Sequence, residues 1–161
     1  KRRRLIEEGV SVPEEDEGAR NAVLSLAAES YASVDEWAQQ HGVEVLVETH
    51  TNMRGHWAKQ IIDEAQAPSL QVLWHIGHHL RRGQSVDEAY QYIKDYVRHL
   101  HFSAPVDNEF VTDADNQRTF ELLAPTGFDG FFSVEVINPE DPEAVLAHHM
   151  NKFNQFMQAV R

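Results

Sequence analysis

The feature that most constrains this chain is a rhythm. Four short, mostly apolar runs begin near residues 43, 70, 97 and 130, with helical patterns between them. Each run meets a polar, metal-capable side chain at or near its end: Glu48, His75, His101 and Glu135. β-branched and aromatic runs of this length, bounded by polar residues, read as buried strands. Strands that alternate with helices imply a parallel sheet with right-handed crossovers, and in such sheets the C-terminal strand ends converge on one face. No close sequence repeat accompanies the rhythm.

From about Asn21 a helix is predicted, with Val23, Leu24, Ala27, Ala28, Tyr31, Val34, Trp37 and Ala38 recurring at three- and four-residue steps and Gly42 as its stop. The strand Val43 to Val47 ends in Glu48-Thr49-His50, and a helix from Trp57 to Ala65 closes at Pro68. After the second run, Ser85-Val86-Asp87-Glu88 has the form of a capping box opening a helix through Ala89, Tyr92 and Ile93. Tyr96 to Phe102 is the third strand. Residues 103–116 read as a long polar loop, of the kind that covers a site. Phe120, Leu122 and Leu123 belong to a helix, and Gly127 to Gly130 turns into the strand Phe131 to Val136. The last helix opens at Asn138 to Pro142, with Val145, Leu146, Met150, Phe153, Met157 and Val160 as its apolar face. The stretch before it all, residues 1–20, is polar and glutamate-rich, with a Val12-Pro13 break, and reads as a lead-in loop.

Four strand–helix units are too few to close a (β/α)₈ barrel, which takes about 250 residues. The 161 residues therefore read as one α/β domain, 1–161, forming half of such a barrel. A small open doubly wound sheet is the competing architecture. A half-barrel leaves strand edges exposed at the runs ending in Glu48 and Glu135. That predicts either a missing N-terminal half or a homo-oligomer.

Composition narrows the function classes. The net charge of -12 argues against nucleic acid as the ligand, because such binding needs a basic footprint. No run approaches the roughly 20 apolar residues that span a bilayer. Lys1-Arg2-Arg3-Arg4 is not followed by the apolar core of a secretory signal. The chain has 0 cysteines, which excludes disulfides and thiolate metal sites and fits a cytoplasmic location. Of the 10 histidines, His41, His56, His148 and His149 read as surface residues.

Glu48, His75, His101 and Glu135 form a mixed oxygen and nitrogen donor set, suited to a divalent ion such as Mn²⁺, Co²⁺, Zn²⁺ or Mg²⁺ and less to Ca²⁺. Neutral imidazole binds the ion while the carboxylates offset its charge. His99 and His101 are read as facing opposite sides of their strand, with His101, next to the end of the run, entering the site. His78 lies past its strand as a candidate substrate contact, with His50 and Trp57 as further candidates, and His79 is a bystander. Trp57, Trp74 and Phe102 otherwise read as core.

Four stretches in this order resemble the second half of the xylose isomerase-like TIM-barrel superfamily: Gly42 to His50, Val72 to His78, His99 to His101, and Gly127 to Glu135. That group includes sugar-phosphate isomerases and epimerases, ketose 3-epimerases, inosose dehydratases and endonuclease IV. The resemblance spans about residues 20–161 and implies strands five to eight, the C-terminal half of the barrel. It implies that Glu48, the residue at 75, His101 and Glu135 are metal ligands, that Glu48 and Glu135 are the acid/base pair, and that His78 contacts substrate. Three departures stand out. The family pattern Trp-Asp-x-Gly-His carries His75 here in place of aspartate, which removes one negative charge and favours softer metals. The Gly-x-Gly segment before the last unit is absent, with polar Thr112 to Thr119 in its place. Asp107 lies in the region where the family epimerases carry a basic residue.

The function implied is a metal-dependent isomerase or epimerase acting on a sugar, sugar phosphate or polyol by proton transfer next to a carbonyl. A metal-dependent dehydratase or hydrolase on the same site, or a non-catalytic diverged half-barrel, are the alternatives.

Overall fold

The computed structural model describes residues 15–50, 53–104 and 110–160. The Val12-Pro13 break and Asp107 lie outside the described residues. In chain order the elements are α1 (Glu17–His41), β1 (Val45–Glu48), α2 (Gly55–Ala65), β2 (Leu70–His75), α3 (Ile76–Leu80), α4 (Val86–Ile93), β3 (Val97–Phe102), α5 (Asp113–Leu123), a 3₁₀ turn (Ala124–Thr126), β4 (Phe131–Val134) and α6 (Pro142–Ala159). The strands form one sheet in the order β1-β2-β3-β4, every neighbour parallel, which is the α/β architecture expected from the rhythm.

The strand alternation decides which face carries chemistry. Val47, Leu70, Val72, Trp74, Leu100 and Phe102 turn to one face and join the core with α1, α2, α4, α5 and α6. The alternate residues, Leu46 and Glu48 on β1 and Gln71, Leu73 and His75 on β2, are half-buried and turn to the other face. Opposite β3 the register shifts between Val72 and Leu73, pairing Val72 with Val97 but Leu73 with His99. That irregularity lets Val97 and Leu100, three residues apart, both enter the core while His99 and His101 share the polar face. The expectation that these two histidines point opposite ways is thereby corrected: residues two apart on a strand share a face.

Helix ends follow their caps. Asp16 accepts a hydrogen bond from the Ala19 N–H at 2.9 Å, so α1 starts at Glu17, earlier than the apolar pattern and inside the expected lead-in. Gly42 takes the left-handed conformation, φ 62°, as the expected stop. The Ser85–Glu88 capping box forms as predicted. A second one, Thr112 with Asp115, starts α5 inside the stretch read as loop.

The apolar faces of the two terminal helices differ from the periodic reading. In α1 the buried residues are Leu24, Ala28 and Ala38, while Val34 and Trp37 are 43% and 58% exposed. In α6, Leu146 and Met150 are exposed and His149 and Phe156 are buried instead. Phe153 and Phe156 continue an aromatic cluster with Phe102, Phe120 and Phe132, at centroid distances of 5.1–6.3 Å. His149 is 3% exposed, its Nδ1 2.8 Å from the Val145 carbonyl, so it is a core residue and not the surface histidine expected. His56 and His148 are half-buried, and only His41 of that group is exposed.

Candidate metal centre

β1 ends where its neighbour holds it. Thr49 is 1% exposed; its N–H donates to the Leu73 carbonyl at 3.0 Å, and its hydroxyl accepts from the His75 N–H at 2.8 Å. The same hydroxyl lies 3.3 Å from the His75 carbonyl, to which it donates. This clamp extends the β1–β2 pairing one residue past the strand and buries Thr49 toward the helices. Glu48 and His50, on either side of it, are therefore delivered to the polar face.

The chain then turns sharply after His75. α3 begins at the next residue, so His78 comes back over His75 with ring centroids 4.0 Å apart. Gly77 permits the approach: a Cβ there would lie 3.2 Å from His75 Cε1 and 3.3 Å from Val111 Cγ2. His79 is fully buried, where its Nε2 accepts from the Trp74 indole at 3.0 Å and its Nδ1–H donates to the Gln84 carbonyl at 2.9 Å. The presumed bystander is thus the anchor that fixes α3 to the core.

Glu48, His75, His101 and Glu135 come together at the C-terminal strand ends. His101 Nδ1 lies 3.1 Å from Glu48 Oε1 and 3.0 Å from Glu135 Oε2, and His75 Nε2 lies 3.2 Å from Glu135 Oε2. Despite these distances, Glu48 Oε1 and His101 Nδ1 are buried without an aligned hydrogen bond. The ligand-type atoms crowd one point without satisfying each other, an arrangement that is costly as it stands and that a cation would relieve. Two carboxylates also match a divalent ion in charge, and the two imidazoles add nitrogen donors.

Donor atoms of His75, His101 and Glu135 all fall within 4.8 Å of one another, and so do those of Glu48, His50 and His78. Burial holds the His75 imidazole down to about 4 in pKa, against the pull of Glu135 and with the help of His101 and His50. Burial, with His75 and His50 beside it, holds His78 down to about 3. Both rings are neutral, with a lone pair to give, at neutral pH.

His99 sits one step below His101 on the same face, its Nε2 2.7 Å from the Ser133 hydroxyl. Trp57, on the first turn of α2, is 6% exposed, packed in the core under the guanidinium groups of Arg20 and Arg54 at 5.6 and 5.4 Å. A cavity of about 740 Å³ lies at the opposite end of β3, lined by residues such as Tyr90, Lys94, Arg98 and Phe128. It carries less weight than the converging donors, because among the described residues it gathers no such cluster.

The fold agrees with the comparisons. A family model described as xylose isomerase-like TIM barrel matches residues 6–156. The chain belongs to that family. Three similar solved structures share its fold at low identity. A D-tagatose 3-epimerase-like protein gives a TM-score of 0.71 at 18% identity, covering 92% of this chain and 60% of that one. The apo 3-keto-D-glucoside 4-epimerase of E. coli gives 0.66 at 16%, covering 91% and 56%. The probable 3-DHS dehydratase of petrobactin synthesis from Bacillus anthracis gives 0.64 at 19%, covering 79% and 55%. The chain thus spans 55–60% of the length of these relatives. No curated protein matches its sequence significantly. Among the described residues, no helix is long and apolar enough to cross a membrane.

Proposed function

We propose that the chain supplies the metal centre and acid/base pair of a divalent-metal-dependent isomerase or epimerase acting on a sugar, sugar phosphate or polyol. The observation that carries this reading is the pair of carboxylates, Glu48 and Glu135, held by the two edge strands within 3.1 Å of the same His101 nitrogen. His75 Nε2, His101 Nδ1 and one oxygen from each glutamate would hold the ion, of Mn²⁺, Co²⁺, Zn²⁺ or Mg²⁺ type. When bound, it supplies Lewis-acid polarisation of the substrate carbonyl.

The side chains do the rest. A carboxylate oxygen of one glutamate takes the proton from the carbon next to the carbonyl, and the other glutamate returns one on the opposite face. Entry from opposite edges of the sheet suits the pair to opposite faces of a substrate lying between them. His78 and His50, beside the cluster, contact substrate hydroxyls, whereas Trp57 is buried in the core. His75, where the family carries aspartate, keeps the site one negative charge lower and biases it toward ions that accept nitrogen.

The test incubates a panel of ketoses, aldoses, their phosphates and cyclic polyols with the Mn²⁺-loaded chain in D₂O. Deuterium washing in next to the carbonyl, without loss of water from the product, is the expected result. Glu48→Gln and Glu135→Gln should each slow exchange by about 10²–10⁴-fold, the usual contribution of a general acid or base. Exchange at the wild-type rate in both variants, with metal still bound, would refute the assignment.

A further inference from the structure

The two glutamates of the proposed centre reach it on unequal supports. Glu48 is followed by Thr49, which is buried and clamped to β2. Glu135 is followed by Val136 and Ile137, both exposed. The strand beneath it is weakly held as well. β4 has four residues, none of them fully buried, and stands at the end of the sheet order beside β3. A segment with so little burial opens readily, so a side chain that must meet an ion from its end needs another support.

His99 supplies one on the polar face. Phe131, Ser133 and Glu135 stand at two-residue steps, which puts them on one side of an extended chain. His99 pairs in register with Phe131, and the two rings pack with centroids 5.9 Å apart. Its Nε2 reaches one step further, to the Ser133 hydroxyl at 2.7 Å. The rung above repeats the pattern: His101 pairs in register with Ser133, and its Nδ1 reaches one step further, to Glu135 Oε2 at 3.0 Å. The two imidazoles meet edge to face, 5.4 Å apart. Among the described residues His99 belongs to neither donor group, so its ring holds the strand and not an ion. At the start of β4, Gly130 lies so close to the Arg98 carbonyl that a Cβ would collide with it, which fixes that end of the strand on β3.

We propose that His99 and Ser133 are positioning residues for Glu135, setting the height at which its carboxylate meets His101 and the ion. The proposal rests on the metal-centre reading above and deepens it. Thr49 places Glu48 from the residue beside it; the His99–Ser133 contact places Glu135 from the rung below.

The test titrates the full chain, stripped with chelator, with Co²⁺ alone, reading the dissociation constant and the visible absorption spectrum, which reports the coordination geometry. Ser133→Ala should raise the dissociation constant by about 10-fold, the lower end of the loss for groups that orient a metal ligand, and alter the spectrum. His99→Phe keeps a ring against Phe131 and should do the same, while the double variant should be no worse than either alone. Ser133→Thr keeps the hydroxyl and should restore the wild-type spectrum and affinity. In a Glu135→Gln background, Ser133→Ala should have no further effect, whereas a merely structural role would leave its effect undiminished. Circular dichroism confirms that each variant folds. Wild-type affinity and spectrum in Ser133→Ala, or an equal loss with and without the Glu135 carboxylate, would overturn the proposal and leave the metal centre standing. A wild-type chain that binds no Co²⁺ would overturn both.

Discussion

Thr49→Val separates the scaffold of the site from its ligands. The substitution keeps the shape of a side chain that is 1% exposed but deletes its hydroxyl, which accepts from the His75 N–H at 2.8 Å. A buried N–H left without a partner costs about 1–3 kcal/mol. For a domain of this size each kcal/mol moves the melting temperature by about 2–4 °C, so a fall of about 2–12 °C is expected by calorimetry. The change also frees the backbone at His75 and at the Glu48–His50 segment, so metal affinity should fall with stability. Thr49→Ser is the control. It loses a buried methyl, worth about 0.8 kcal/mol, but keeps the hydroxyl, so its melting temperature drops while its affinity for Zn²⁺ stays near wild type. If Thr49→Val bound Zn²⁺ as tightly as Thr49→Ser, the clamp would not be what positions the donors.

Three further outcomes follow from the same structure. Gly55→Ala should destabilise by about 1–3 kcal/mol, outweighing the gain in helix propensity, because the added Cβ would sit 2.6 Å from the Ala89 carbonyl oxygen and 2.9 Å from its Cα, both backbone; an unchanged urea midpoint would contradict the packing of α2 on α4. In the metal-free chain, burial holds His79 and His56 below the ordinary value of 6.5, Arg54 and Arg20 adding to the effect at His56. The unfolded chain then binds more protons below that pH, so stability is complete above it and falls as the solution is acidified through it; urea midpoints rising between about pH 6.5 and pH 5 would show the sign to be wrong. Zn²⁺ at a hundred times its dissociation constant should add about 2.7 kcal/mol, raising the melting temperature by about 5–10 °C, and chelator should reverse it. A melting curve blind to both would count against a site preformed in the native state.

Much of the architecture was legible because strand signals here are strong and their spacing is regular. Glu48, His75, His101 and Glu135 are legible in the sequence because each stands at or next to the end of an apolar run, and parallel topology sends those ends to one place. What the sequence hid was mostly tertiary. The role of Thr49 depends on a neighbouring strand, and nothing local distinguishes it from a surface threonine. The burial of His79 depends on Trp74 and Gln84 standing on either side; the five-residue step from Trp74 to His79 is a faint signal at best. His149 and the exposed Leu146 and Met150 show the limit of periodicity: a continuous aromatic cluster from Phe102 to Phe156 rotates α6, and a polar ring with its Nδ1 on the Val145 carbonyl is admitted to the core. The grouping of Glu48 with His50 and His78 came from the turn into α3, which brings His78 back where a strand reading would send it away.

The most direct test of the account is anomalous diffraction at the zinc edge from crystals of this chain soaked with Zn²⁺. The account predicts a peak about 2.0–2.2 Å from His75 Nε2, His101 Nδ1 and an oxygen of Glu135, with Glu48 in the same coordination shell. Those four side chains ordered around no peak, in crystals that bind Zn²⁺ elsewhere, would contradict it.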